Sequence, residues 1–408
     1  MTKAALLLLL PLSAQVIAAA ELPAAGLWDA SVVVNDVEIP FRMEIATKPA
    51  PAGAFFNGDL LVRSTAGELQ ADGTLVLRFD HYASKLIAKW DGERWAGTYG
   101  RQGRTPYAFQ ARKFVATELT GEEKIPNIAG LWDIPVKSAK GESAWRFIVR
   151  QSGPEVTGTI LRVDGDTGAL SGKFQNGKFV LSHFSGARPA LVEVTPNADG
   201  TIEVVQNRKS KYMALRSNEA RLKGLPEPTD PSRHTSVKDP SEPFRFSAPD
   251  LSGKLVTEAD PRFAGKVVLL SLGGSWCPNC HDEAPFLVEL DKEYRSRGLE
   301  VVNLSFEEAE QLKDPVRLRA FIGQYGIRHT VLLGGEPEQV RERLPQAVNL
   351  NTWPATFFIG RDGRVRGVHA GFASPATGEE HLRLKAEVRQ TVERLLNETN
   401  SQAISSLQ

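Results

Sequence analysis

Apolar and polar residues alternate in short runs through the first half of the chain, as in Leu75-Val76-Leu77-Arg78-Phe79. That is the period of a half-buried strand. Asp72-Gly73, Asp91-Gly92, Asn176-Gly177 and Asp199-Gly200 lie between such runs, and these dipeptides tolerate the positive φ that two-residue hairpin turns require. The pattern also repeats. Gly26-Leu27-Trp28-Asp29 returns as Gly130-Leu131-Trp132-Asp133, a shift of 104 that also carries Phe41-Arg42-Met43 onto Trp145-Arg146-Phe147 and Asp72–Leu77 onto Asn176–Leu181. Several anchors at one offset indicate a duplication, with β-rich copies over 21–118 and 125–218. Evenly spaced antiparallel strands predict small barrels or sandwiches, as two units or as two halves of one barrel.

The period then changes. Five prolines between Pro226 and Pro243, mixed with polar residues and lacking an apolar period, predict an extended linker over 219–242. Beyond it strand-like and helix-like stretches alternate, with strands predicted at Lys266–Leu272, Leu299–Leu304, Thr330–Leu333, Ala355–Ile359 and Arg364–His369. Helices are predicted after Cys280, where Phe286, Leu287, Leu290 and Tyr294 share a face, and over Pro315–Tyr325, Glu336–Leu344 and Glu379–Leu396. The expectation for 243–397 is an α/β layer fold with a central sheet, followed by a frayed tail at 398–408.

Composition narrows the partners. Forty-nine basic and forty-nine acidic residues cancel, so nothing points to nucleic acid or an anionic membrane. A hydrophobic fraction of 41% is ordinary for a globular protein. Met1-Thr2-Lys3, the apolar run Ala4–Leu10 and the small residues Ala18-Ala19-Ala20 resemble a secretory signal peptide over 1–20. The run is shorter than the ~20 residues of a membrane span. An exported, periplasmic bacterial protein is expected, soluble after cleavage or tethered if uncleaved.

Only two cysteines occur, Cys277 and Cys280, between a buried apolar strand and a predicted helix. A disulfide across two intervening residues closes a trivial loop, so the pair reads as chemical rather than as a staple. A helix N-terminus places partial positive charge on the first sulfur and favours the thiolate, the form that attacks disulfides. The chemistry predicted is thiol–disulfide exchange.

The ordered set Phe263-Ala-Gly-Lys-Val267, Trp276-Cys-Pro-Asn-Cys280, Glu283-Ala-Pro285, Arg319–Gly326 and Trp353-Pro-Ala-Thr-Phe-Phe-Ile-Gly360 resembles the exported thiol–disulfide oxidoreductases of the TlpA/ResA group. The resemblance covers roughly Pro243 to Leu396 and implies a thioredoxin-like fold there, a disulfide reductase activity and no cofactor. It implies protein disulfides as substrates, a membrane-embedded electron donor, and cytochrome c maturation as one use. By the same resemblance Cys277 is the exposed nucleophile, Cys280 the buried resolving thiol, and Pro285 the kink of the helix. Pro354 is implied to be a cis-proline facing the cysteines, with Trp276 and Trp353 beside the substrate. Glu283 falls where the group places an acid that tunes the cysteines, although an exposed acid at a helix start explains it equally. Ser271 stands where thioredoxin has its buried acid, so it cannot be that base.

Other readings compete. Cys277-Pro-Asn-Cys280-His281 also fits the C-x-x-C-H signature of c-type haem attachment. Zinc would have at most three adjacent ligands, fewer than a structural site uses. The frame that precedes a peroxidatic cysteine is absent before Cys277. Five of the seven tryptophans, Trp28, Trp90, Trp95, Trp132 and Trp145, fall in the β copies, where they fill cores or mark a binding surface for an unknown partner.

Overall fold

The computed structural model describes residues 25–101, 103–116 and 125–398. The signal peptide expected at 1–20, most of the stretch between the copies, and 399–408 lie outside the described residues. The N-terminal region is all-β and forms two separate sheets rather than halves of one barrel. Strands beginning at Gly26, Ala66 and Thr74 have counterparts beginning at Gly130, Leu170 and Lys178. Asn176 and Gly177, at φ 52° and 79°, make the two-residue turn between Gln175 and Lys178.

The copies close differently. In the second, Ala144–Ser152 pairs with both Gly130–Pro135 and Glu155–Arg162, which joins eight strands into a barrel. The first runs from Leu60–Arg63 at one edge to Ala66–Leu69 at the other. Among the described residues these edges do not pair, so it is a half-barrel. Alternation does the packing: in Val37–Ala46, Val37, Ile39, Met43 and Ile45 point inward while Glu38, Pro40 and Arg42 face water. Phe184, from the second copy, completes the core of the first. Its ring lies 4.7, 5.3 and 5.2 Å from Phe41, Phe55 and Tyr99, and the Tyr99 hydroxyl donates to the Gly186 carbonyl at 2.8 Å. Trp28, Trp95 and Trp132 are buried, and Trp90 and Trp145 pack against the same cores. The tryptophans fill interiors.

The C-terminal region is a thioredoxin-like α/β layer. Its sheet runs Thr330–Gly335, Leu299–Phe306, Val267–Gly273, Ala355–Ile359 and Val365–Ala370, the first three parallel and the last two antiparallel. Val267–Gly273 is buried throughout because both of its faces are covered. Val267 and Leu269 meet helices Pro278–Tyr294 and Glu379–Asn397, while Val268, Leu270 and Leu272 meet Phe244, Phe246 and Val256 on the other face.

Two expectations are corrected. The proline-rich stretch is not a bare tether. Its start lies in helix Ser217–Leu222, Pro231–His234 makes a helical turn, and Ser236–Val237 pairs with Ala347–Val348. His234 is buried, with Nε2 2.7 Å from the Asn351 side-chain oxygen. The helix expected over Glu336–Leu344 is a short turn, Pro337–Gln339, followed by Val340–Arg343.

The shared core yields a prediction. Phe184→Ala should lower the free energy of unfolding by about 3–5 kcal/mol, against less than about 0.5 kcal/mol for exposed Leu60→Ala. Urea unfolding checks it, and a loss below about 1 kcal/mol for Phe184→Ala would mean that the copies do not share a core.

Candidate active site

The buried strand Val267–Gly273 delivers the chain to a helix start at the end of the sheet. Cys277 is the N-cap, in extended conformation, and Pro278 takes the first helical position, where its missing N–H costs nothing. The Cys277 sulfur accepts the Cys280 N–H at 3.2 Å and is bonded to the Cys280 sulfur, so the chain is in its oxidised form. Pro285 lies inside the helix and leaves the His281 carbonyl without its i+4 donor.

A buried ion network fixes the loop before the cysteines. Glu307 accepts the Ser275 N–H and hydroxyl at 2.7 Å each and pairs with Arg317 at 2.9 Å. Arg317 also donates to the Ser275 hydroxyl at 2.7 Å and to Glu308 at 2.9 Å. Removing one partner of such a pair leaves an uncompensated charge and costs about 3–5 kcal/mol. Sequence reasoning missed Ser275, Glu307 and Arg317, which are ordinary polar residues until the fold joins them.

Glu283 is buried, not an exposed helix-start acid. Its two carboxyl oxygens accept hydroxyl bonds from Ser271 and Thr356, both at 2.8 Å. Burial pushes its pKa up from 4.5 to about 7, against the pull of those bonds. Cys280 and Glu283 are one helical turn apart and face the same strand. Glu283 bonds to Ser271, and a Cβ on Gly273, two residues further along that face, would lie 3.1 Å from the Cys280 sulfur. Ser271 therefore supports the acid rather than replacing it.

The Trp353–Pro354 peptide is cis. Leu272 pairs with Ala355, so the register puts Pro354 beside Gly273 and hence beside Cys280. The Trp276 ring meets Trp353 edge-on at 5.6 Å, and its N–H donates to the Phe306 carbonyl at 2.8 Å. The fold thus gathers Cys277, Cys280, Glu283, Pro354, Trp276 and Trp353 at one end of the sheet.

Exposure of Cys277 is corrected. It is only 2% exposed and Cys280 is 6% exposed, and the β region packs on the residues that flank them. The turn Val163–Asp166 crosses between the helix start and the loop after Val365–Ala370. Asn279, between the two cysteines, donates to the Asp164 carbonyl at 2.7 Å, and Gly165 forms a parallel bridge with Phe372. Asp166 receives the Ser374 N–H and hydroxyl at 2.6 and 3.0 Å. Arg188 donates to Asn279 at 2.8 Å and to the Asp166 carbonyl at 3.2 Å, and pairs with Asp282 at 2.8 Å. Burial pushes the Asp282 carboxyl up to about 6 against the pull of Arg188.

His281 is held from the other side, with its ring 4.4 Å from Tyr82 of the half-barrel. Its Nε2 lies 2.9 Å from the Ser275 carbonyl and Nδ1 3.0 Å from the Tyr325 hydroxyl. A carbonyl only accepts, so Nε2 carries the proton and Nδ1 accepts. Burial pushes the ring down to about 3, leaving it neutral. Both nitrogens are committed to protein partners, an arrangement of a core histidine rather than of a haem ligand.

A disulfide at the helix start of this sheet defines a thiol–disulfide oxidoreductase of the thioredoxin fold. Residues 241–368 match the AhpC/TSA family. The chain is 30% identical over 140 residues to the thiol–disulfide oxidoreductase ResA of Bacillus thuringiensis subsp. konkukian, covering 34% of this chain and 73% of that protein. It is 29% identical over 154 residues to ResA of Bacillus cereus, covering 37% and 81%. A thioredoxin-family thiol:disulfide interchange protein from Chlorobium tepidum TLS is similar in structure, at 25% identity and TM-score 0.30, covering 40% of this chain and 100% of that one. Through its C-terminal domain, the chain belongs to the ResA thiol–disulfide oxidoreductases.

Glu283 yields a prediction for stability. It binds its proton more tightly in the folded chain than in the unfolded one, so this contribution is complete below pH 4.5 and is lost as pH rises through about 7. Glu283→Gln should be more stable than the native chain at pH 8 by about 3 kcal/mol, a difference that vanishes near pH 4. Urea unfolding of the oxidised proteins at both pH values measures it. Parallel pH profiles would contradict an acid whose proton is held by burial.

Proposed function

We propose that this protein is an exported reductase of protein disulfides, working through the Cys277-Pro-Asn-Cys280 dithiol. The single observation behind this reading is the pairing of the two sulfurs at the N-cap of the helix, with the Glu283 carboxyl buried one turn below Cys280. In the reduced chain the Cys277 thiolate is stabilised by the helix start and attacks one sulfur of a substrate disulfide. That S–S bond breaks, one substrate thiolate leaves, and Cys277 is joined to the other sulfur.

Cys280 then gives its proton to the Glu283 carboxylate, and its thiolate attacks the Cys277 sulfur. The second substrate sulfur leaves as thiolate, two electrons have passed to the substrate, and the Cys277–Cys280 disulfide remains. An acid with a pKa of about 7 is divided between its two forms at neutral pH, which suits a group that must take up and return a proton. The cis Trp353–Pro354 peptide, with Trp276 alongside, is the place for the substrate backbone. A dithiol donor, membrane-embedded by the TlpA/ResA resemblance, returns the pair to its reduced form, and the reductase direction rests on that resemblance. Export rests on the signal-like residues 1–20. Among the described residues no helix is long and apolar enough to cross a membrane.

The division of labour between the sulfurs is testable by trapping. Cys280→Ser, expressed in an exported compartment, should accumulate partner proteins covalently bound at Cys277, and reductant should release them. Cys277→Ser should trap few or none. Equal trapping by both variants on non-reducing gels would overturn the assignment of attacking and resolving thiols.

A further inference from the structure

The β region lies on the residues that flank the disulfide, and its fit there is close. Gly165 has φ +128°, and a Cβ on it would lie 2.6 Å from the Asn279 side chain and 2.8 Å from the Phe372 carbonyl. Gly371, on the opposing strand end, has φ +68°, and a Cβ there would lie 2.4 Å from the Asp164 and Val163 backbones. Side chains at either position would hold the two backbones apart. The turn also uses main-chain recognition, through the Gly165–Phe372 bridge and the bond from Asn279 to the Asp164 carbonyl. An extended polypeptide would use the same groups.

Arg188 locks the turn in place. Its guanidinium joins the Asp166 carbonyl to Asn279 and Asp282 on the redox helix. The same loop carries Phe184 into the core of the half-barrel, so movement of Arg188 is tied to the whole β region. Meanwhile exchange needs a substrate sulfur to approach Cys277 in line, and a residue only 2% exposed offers no such path to a protein.

We propose that the face formed by Asn279, Asp282 and Gly371–Ser374 is a docking surface for an extended polypeptide segment beside a disulfide. In the resting chain Val163–Asp166 fills it, so a protein substrate reaches Cys277 by displacing the β region. The proposal rests on the reading of Cys277 as the thiol that attacks protein disulfides. It adds the competitor and the surface competed for.

The test uses the full reduced chain, with Arg188→Ala and Gly165→Ala as variants that loosen the turn from opposite sides. Iodoacetamide alkylation of Cys277 and reduction of insulin disulfides are timed in each. Both variants should alkylate at least ten-fold faster than the native chain and reduce insulin correspondingly faster. Folded variants that alkylate and reduce insulin within two-fold of the native rates would overturn the proposal. Should the variants not fold, the native chain still decides. Its Cys277 should alkylate at least a hundred-fold more slowly than in the same chain unfolded in guanidinium, and a rate within three-fold of the unfolded one would overturn the proposal. Failure of the underlying reading looks different: Cys277 would alkylate readily in the variants while no chain, native or variant, reduced insulin, and the proposal would fall with it.

Discussion

The sulfur of Cys277 occupies the position at which a helix presents backbone amides with no partner of their own. It accepts one of them, the Cys280 N–H, and the rest of the site is arranged around that contact. The strand Val267–Gly273 is buried on both faces and cannot shift without exposing apolar side chains, so the point where the helix begins is fixed relative to the sheet. Glu307 and Arg317 hold the intervening Ser275 from below. A sulfur at this N-cap meets backbone donors that are already oriented.

The β region changes what such a site can do. Here the turn Val163–Asp166 of the eight-stranded barrel packs beside the Cys277 sulfur, on Asn279 of the redox helix and on Phe372. The loop from Phe184 to Arg188 links the parts: one end completes the aromatic core of the half-barrel and the other pairs with Asp282 on the redox helix. Tyr82 of the half-barrel packs on His281. The duplicated copies thus share an aromatic core, and both pack against the helix that carries the cysteines.

Much of the layer fold was legible in the sequence because its signals are local. An unbroken apolar run marks the central strand, and the apolar face at Phe286, Leu287, Leu290 and Tyr294 marks the helix that follows the cysteines. The duplication was legible too, since Gly26 and Gly130 begin equivalent strands. The burial of Glu283 was not, because its carboxyl is paired with hydroxyls of Ser271 and Thr356, which lie on two strands remote from the helix in sequence. The packing of the β region beside Cys277 was illegible for the same reason. Its contacts join Asp164 and Arg188 to Asn279, and Asp166 to Ser374, across intervals that no local pattern spans. The proline-rich stretch misled because proline content signals an extended chain but says nothing about what the chain packs against.

On the proposed function, the Cys277–Cys280 pair is a redox couple of the folded protein rather than a fixed crosslink. The direct measurement equilibrates the chain in glutathione buffers of graded ratio, quenches it with an alkylating reagent and counts modified sulfurs, with circular dichroism reporting the fold. Both cysteines should titrate together in one two-electron transition while the spectrum stays native. A pair that remains bonded until the chain unfolds would be a fixed crosslink instead.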